Sequence, residues 1–303
     1  TRRVSNSGGE KRGGIKVKYQ DDKAVVPKKE LVSVSPSELA TWNDCQRKWH
    51  FRYDQGIEPI DQSRPAPMAS GMAVHFVVET ICRDFPNELP TPEDIKIRAK
   101  DCLEEQFAHN YEPTKQVNKY LPGVVRAINK IPEWVWKSHW FVERNISGTF
   151  GDVELHGRPD MYRLVDGLST GYEVDRIELI DIKTTQTEPL DFLLWSPQLR
   201  YYAAVLQQEY PDRVISYKYL CLPTQGTGPP PHSPAWIFTQ AMYEATCSEI
   251  EGMGARFNRS RMEPRYSRAC SFCDYNIICK NIITGADPKG IIEELYTERR
   301  PHD

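Results

Sequence analysis

The first ordered pattern in the chain begins at Ser35-Pro36-Ser37-Glu38, an N-cap serine, a proline at the first helical position and a glutamate three residues on. Leu39, Trp42, Gln46, Trp49 and Tyr53 then recur at helical spacing, which predicts one helix ending by Gly56. A Pro-containing loop, Gln62–Pro67, leads to a second helix over about Ala69 to Phe85, with Val74, Val77, Val78, Ile81 and Phe85 as its apolar stripe. Thr91-Pro92 opens a third by the same capping logic, and helical sequence continues to about Lys137. There the period falls from near four to near two. Strands are expected around Trp140–Ile146, Asp152–His156, Met161–Val165 and Glu173–Lys183, separated by Gly-containing turns. A helix at about Ser196–Glu209, a strand at Val214–Leu222, an exposed loop at Pro223–Pro234, a strand at Trp236–Thr239 and a helix at Ala241–Phe257 complete the pattern. Helices, then a small sheet with an inserted helix, then more helix describe an α/β core wearing a helical cap.

Composition narrows this further. Hydrophobic residues make up 39% of 303 positions, which supplies a sizeable core and excludes a wholly disordered chain. No apolar run approaches the roughly 18 residues that span a bilayer, and the first residues lack an apolar signal core, so the expectation is a cytoplasmic protein with no membrane partner. Eight Cys are too few for a disulfide scaffold and fit a reducing compartment, where clustered thiols point to metal or catalysis. The net charge of −3 conceals a split, because residues 1–30 carry nine Lys/Arg against four Asp/Glu. The expected layout is a flexible basic arm at 1–34, one domain at 35–283 and a tail at 284–303. Within that domain, 35–137 is helical, 138–240 holds the sheet and 241–283 carries a helix and the Cys cluster.

Candidate chemistry appears where the strands are. Gly157-Arg158-Pro159-Asp160 falls at a turn between two strands, and the strand Ile177–Ile180 runs into Asp181-Ile182-Lys183. Period-two geometry puts Asp181 and Lys183 on one face and turns Ile182 the other way. Asp-x-Lys occurs at three further places, Asp21–Lys23, Asp94–Lys96 and Asp287–Lys289, but those fall in the basic arm, a capped helix and a loop. Two carboxylates from neighbouring strands are oxygen ligands of the kind Mg²⁺ or Mn²⁺ prefers, and an adjacent ammonium suits phosphodiester hydrolysis. His75 and Glu79 share one helical face, with His75 a third candidate ligand and Glu79 an accessory one. Gln198 and Tyr202 repeat that spacing on the helix after the Asp181–Lys183 strand. The aromatic run Trp134–Phe141 reads as core packing before it reads as a stacking surface.

Cys270, Cys273 and Cys279 fall within ten residues, spaced C-x2-C-x5-C. A fourth ligand must come from elsewhere, and Cys45 is the best candidate. Four thiolates would hold [4Fe–4S] or Zn²⁺ and would staple the two ends of the domain together.

Taken in order, Ser35-Pro-Ser-Glu-Leu39 with Cys45, Gly71-x3-His75-x3-Glu79, Gly157-x2-Asp160, Asp181-Ile-Lys183, Gln198-x3-Tyr202 and the triple-Cys tail resemble the PD-(D/E)XK nucleases. The similarity is to the RecB-like group with an iron–sulfur staple, of the CRISPR-associated and phage exonuclease type. The resemblance implies a restriction-endonuclease-like core, a small mixed central sheet flanked by helices. It implies that His75, Asp160, Asp181 and the backbone carbonyl of Ile182 bind catalytic Mg²⁺ or Mn²⁺. Lys183 would be the catalytic lysine, Gln198 and Tyr202 would line the site, and Cys45, Cys270, Cys273 and Cys279 would hold [4Fe–4S]. The implied activity is a metal-dependent DNA exonuclease acting on single-stranded or free ends in recombination, repair or phage/CRISPR processing. The rival expectation is a catalytically weak DNA-binding adaptor that recruits a recombination or spacer-acquisition partner, that is, a CRISPR adaptation protein.

Overall fold

A computed structural model describes residues 31–61, 63, 65–167, 174–184, 197–226, 234–257 and 263–299. The basic arm over 1–30 lies outside them, as does most of the Pro-rich loop. Order begins before the capping signal, with strand β1, Val32–Val34, where the arm had been expected to continue. Helix α1, Pro36–Asp44, opens as predicted: Glu38 N–H donates to Ser35 Oγ at 3.2 Å and Ser35 N–H to Glu38 Oε2 at 2.8 Å. The single helix expected to run to Gly56 is instead broken at Cys45, which is extended at φ −164°, ψ 110°. Helix α2, Gln46–Trp49, a π turn at His50–Asp54 and strand β2, Ile57–Pro59, follow.

The helical region contains α3 (Ala66–Asp84), α4 (Pro92–Gln106), α5 (Pro113–Ile128) and α6 (Glu133–Trp136). Thr91 caps α4 through a reciprocal box with Asp94. The strand predicted at Trp140–Ile146 is two strands, β3 (Phe141–Val142) and β4 (Ile146–Phe150), because Glu143 between them is left-handed at φ +47°. Then come β5 (Val153–Gly157), β6 (Met161–Val165), β7 (Arg176–Lys183), α7 (Pro197–Glu209), β8 (Val214–Cys221), β9 (Trp236–Phe238) and α8 (Gln240–Phe257). The last stretch holds a 3₁₀ turn at Arg268–Phe272, then α9 (Asn276–Ile283), α10 (Lys289–Leu295) and β10 (Tyr296–Glu298). The expected tail at 284–303 is therefore folded over its described part.

The chain divides into two compact units where one domain at 35–283 was expected. The larger, from 27–43 and 62–261, is a mixed α/β structure of small mixed sheets flanked by helices, as the resemblance implies. Its five-stranded sheet has the order β3-β6-β7-β8-β9, parallel at β7–β8 and antiparallel elsewhere. Strand β7 carries four charged residues, yet Leu179–Ile182 are all buried, because both its faces are covered. Ile177 and Leu179 pack on one side with Leu199, Tyr201 and Leu206 of α7, while Ile180 and Ile182 pack on the other with Val74, Val77 and Ile81 of α3. Burying each such side chain is worth about 1.5–3 kcal/mol relative to exposure. Phe85, expected in the α3 stripe, is instead partly exposed beneath the Arg98 guanidinium. A second sheet, β1-β5-β4, joins β1 to β5 in parallel.

The smaller unit combines 44–61 with the chain from 262 onwards. Strands β2 and β10 pair antiparallel, Tyr296 opposite Pro59, over a core of Phe51, Ile57, Tyr275, Ile278, Ile292 and Tyr296. The buried Tyr275 hydroxyl donates to the Ile57 carbonyl at 2.8 Å.

Candidate active site

Asp181 and Lys183 occupy the C-terminal end of β7, next to parallel β8, the end of an α/β sheet at which ligands bind. Asp160 stands immediately before β6, which is antiparallel to β7, so the two carboxylates meet at one corner of the sheet. The Ile182 N–H, released from the ladder at that corner, donates to Asp160 Oδ2 at 2.6 Å. His75 comes from α3, its Nδ1 3.3 Å from Asp160 Oδ1. Gly71, one turn earlier on α3, lets the helix lie close to the β7 end, where an added Cβ would stand 3.0 Å from Thr184 Oγ1.

Asp181 is 1% exposed. Lys183 Nζ pairs with its Oδ2 at 2.5 Å, and its Oδ1 has no hydrogen-bond partner among the described residues. Burial, with the Asp160 charge added, pushes the Asp181 carboxyl up to about 7 against the pull of Lys183 and His75. Burial works against a charged His75 imidazole, but Asp160 and Asp181 outweigh it and hold its pKa above the ordinary value. Lys183 also donates to Gln198 Oε1 at 3.2 Å, and Gln198 in turn hydrogen-bonds Tyr202 one turn along α7. The missing Cβ of Gly157 leaves room for Tyr202: a Cβ there would stand 2.7 Å from the Tyr202 ring and 3.2 Å from Pro36. Burial raises the Tyr202 phenol further above its usual range.

The structure thus gathers His75, Asp160, Asp181, Lys183, Gln198 and Tyr202 in one place. Glu79 lies one turn beyond His75, paired with Arg83 at 2.9 Å. A residue that sequence reasoning missed is Glu143. Its N–H donates to the Asp160 carbonyl at 3.2 Å, and its side chain lies 3.8 Å from Arg158. Burial, then Asp160 and Glu79, push its carboxyl up to about 7. The left-handed turn that brings Glu143 here has no sequence signature in a residue of this type.

Among the described residues, no three His, Cys, Asp or Glu stand ready-made around a vacant centre, because these donors contact each other: His75 leans on Asp160 and Asp181 on Lys183. The donor set nonetheless fits a hard divalent cation. A buried carboxylate with an unsatisfied oxygen, raised by a second carboxylate, gains a partner and loses a repulsion when a cation enters.

The cysteines fall in the smaller unit. Burial raises the Cys273 and Cys279 thiols, and Cys45 lies close enough to both to add to the shift. Cys270 is turned into its own loop, accepting from Ser267 N–H at 3.5 Å and donating to the Arg265 carbonyl at 3.8 Å. Among the described residues these four cysteines do not form a group placed to hold a metal ion. Of the aromatic run, Trp136 and Trp140 are buried as expected, whereas Trp134 is partly exposed with Lys218 Nζ 4.1 Å from its ring.

The family model of the PD-(D/E)XK nuclease superfamily matches residues 33–280. No curated protein matches the chain. Eight chains of solved structures do match, one of them titled "Crystal structure of SSO0001", 15% identical over 69% of this chain and 96% of that one. Its TM-score of 0.29 is too low to bear on the fold.

Proposed function

The chain belongs to the PD-(D/E)XK nuclease superfamily, a family of DNA-binding nucleases, and on that premise we propose that it is a Mg²⁺- or Mn²⁺-dependent deoxyribonuclease that degrades single-stranded or free DNA ends. The observation that carries this reading is the corner where Asp160, His75 and the buried Asp181 carboxylate, one oxygen of it paired with Lys183, converge.

His75, Asp160, Asp181 and the Ile182 carbonyl would hold the cation. When bound, it supplies a Lewis acid for the phosphate and lowers the pKa of a water ligand. Asp181 and Gln198 hold the Lys183 ammonium between them, so it is preset to donate to an oxygen that gains negative charge in the attack. Tyr202 restrains Gln198 and forms a wall of the site. Ile182, packed into the apolar layer under α3, fixes the two side chains that flank it.

Cys45, Cys270, Cys273 and Cys279 would bind [4Fe–4S], with Zn²⁺ as the alternative. What supports this is their common unit and the mutual proximity of three of them.

The test uses 5′- and 3′-labelled single strands and circular single strands, with Mn²⁺ present or omitted. Wild-type protein should degrade the linear strands only with metal, and Asp181→Ala and Lys183→Ala, folded by circular dichroism, should lose about a hundredfold or more of that activity. Wild-type rates in either variant would end the assignment, and equal cutting of circles would replace an end-dependent enzyme with an endonuclease.

A further inference from the structure

The carboxylates around Asp160 are faced by few cations, and most of those are committed. Lys183 spans Asp181 and Gln198. Arg83 lies 2.9 Å from Glu79 and 3.2 Å from Asp84. Arg158 differs from both. Its side chain is 48% exposed, its ion pair to Glu143 Oε2 is long at 3.8 Å, and it makes no hydrogen bond among the described residues.

Its placement is more definite than its pairing. Arg158 stands two residues before Asp160 and directly before Pro159, which is buried. A following proline disfavours helical backbone and biases Arg158 to the extended region. Arg158 and Pro159 lead from the end of β5 into the bend at Asp160. Glu143 reaches the same point from the other flank. The break at φ +47° ends β3, sends the Glu143 N–H to the Asp160 carbonyl and leaves its carboxylate opposite the guanidinium.

We propose that Arg158 binds a phosphate of the nucleic-acid strand beside the bond to be cut, and that Glu143 tethers the guanidinium until that phosphate displaces it. This rests on the nuclease reading above and names the recognition of substrate at that site. A guanidinium matches a phosphate through two parallel N–H···O bonds. A half-exposed pair at 3.8 Å is weak by comparison, so the exchange costs little. On product release Glu143 takes the guanidinium back, which keeps a mobile side chain near its working position without burying it. Arg158 is then a positioning residue for the strand, while the chemistry remains with the carboxylates and Lys183.

The experiment measures binding of a fluorescent single-stranded oligonucleotide by anisotropy across a salt series, with Ca²⁺ in place of Mn²⁺ to suppress turnover. Kinetics with Mn²⁺ run alongside. Arg158→Ala should weaken binding about tenfold, lower the slope of log affinity against log salt by about one, and put its kinetic loss in KM more than in kcat. Arg158→Lys should keep the slope and recover part of the affinity. Glu143→Gln should bind as tightly as wild type or tighter. If wild type cleaves and Arg158→Ala keeps both affinity and slope, the phosphate contact is overturned. If Glu143→Gln binds as poorly as Arg158→Ala, the tether is overturned. A wild-type protein that cuts no nucleic acid would instead sink the nuclease reading, and the binding series would still decide the role of Arg158.

Discussion

The two units hold their candidate site residues in different ways. In the larger, the carboxylates sit at the end of a five-stranded sheet covered on both faces by apolar layers, and Asp181 is buried by that packing. The framework exists without a ligand and forces an awkward charge into place. In the smaller, one two-stranded ribbon and six buried side chains form the core, and a lone ribbon is marginal in water. There, ligands would be part of the framework itself. A site that burdens its fold and a site that completes its fold should respond to mutation with opposite signs.

The largest expected effect tests the completing site. Removing the proposed centre with a chelator under reducing conditions, or by Cys279→Ser, should destabilise the smaller unit by several kcal/mol, since structural metal binding in small domains is on the order of 10 kcal/mol of folding energy. Hydrogen exchange read by mass spectrometry should show amides of β2, α9 and β10 losing protection while those of α3 and β7 keep theirs. Protein isolated without air should be brown and contain iron; a colourless protein with stoichiometric zinc would substitute that metal. Unchanged protection after chelation would reduce the cysteines to packed sulfurs and remove the contrast.

A smaller effect tests how tightly the larger unit fixes its site. Gly157→Ala places a methyl 2.7 Å from the Tyr202 ring and 3.2 Å from Pro36, so a buried ring must shift to admit it. The cost should be about 1–3 kcal/mol in chemical denaturation, together with a fall in cleavage as Tyr202 and Gln198 shift. Full stability with full activity would show that the corner tolerates repacking.

What the sequence discloses follows the same division. Elements set by local rules are legible: the Ser35 box, the Thr91 cap and most of the stripe of α3 follow from spacing and capping chemistry. The site residues on those elements are legible as well, since Asp181 and Lys183 alternate about Ile182 and His75 lies on a helix of known face. Features set by long-range contact are not. Glu143 enters the site through a left-handed break in a stretch that alternates like one strand. The helix break at Cys45 falls in a sequence with unbroken helical period. The pairing of β2 with β10 joins segments more than 230 residues apart, neither of which reads strongly as a strand. Gly157 is visible as a motif glycine, but its reason, the Tyr202 ring, becomes apparent only in three dimensions.

The smallest effect tests the burdened site most directly, because its sign is unusual. The Asp181 carboxyl is raised from an ordinary 3.8 to about 7, so in the folded protein it resists ionising, whereas in the unfolded chain it does not. Below about pH 4 both states are protonated and the residue is neutral for stability. As pH rises from there to about 7 the unfolded chain gains by ionising and the folded one does not, so apo-protein stability falls through this window. Above it the penalty is constant. Asp181→Asn cannot ionise, so its thermal midpoint should match wild type near pH 4 and exceed it at pH 8, by about 2–4 °C for each kcal/mol relieved. Mn²⁺ should raise the wild-type midpoint at pH 8 by giving the carboxylate a partner, and should do so far less in the variant. A variant less stable than wild type at pH 8 would mean that Lys183 already satisfies Asp181, and the corner would then complete its fold as the cysteines are proposed to complete theirs. A more stable but inactive variant would show that the sheet holds this carboxylate at a cost to stability, and that the cation is what makes the arrangement favourable.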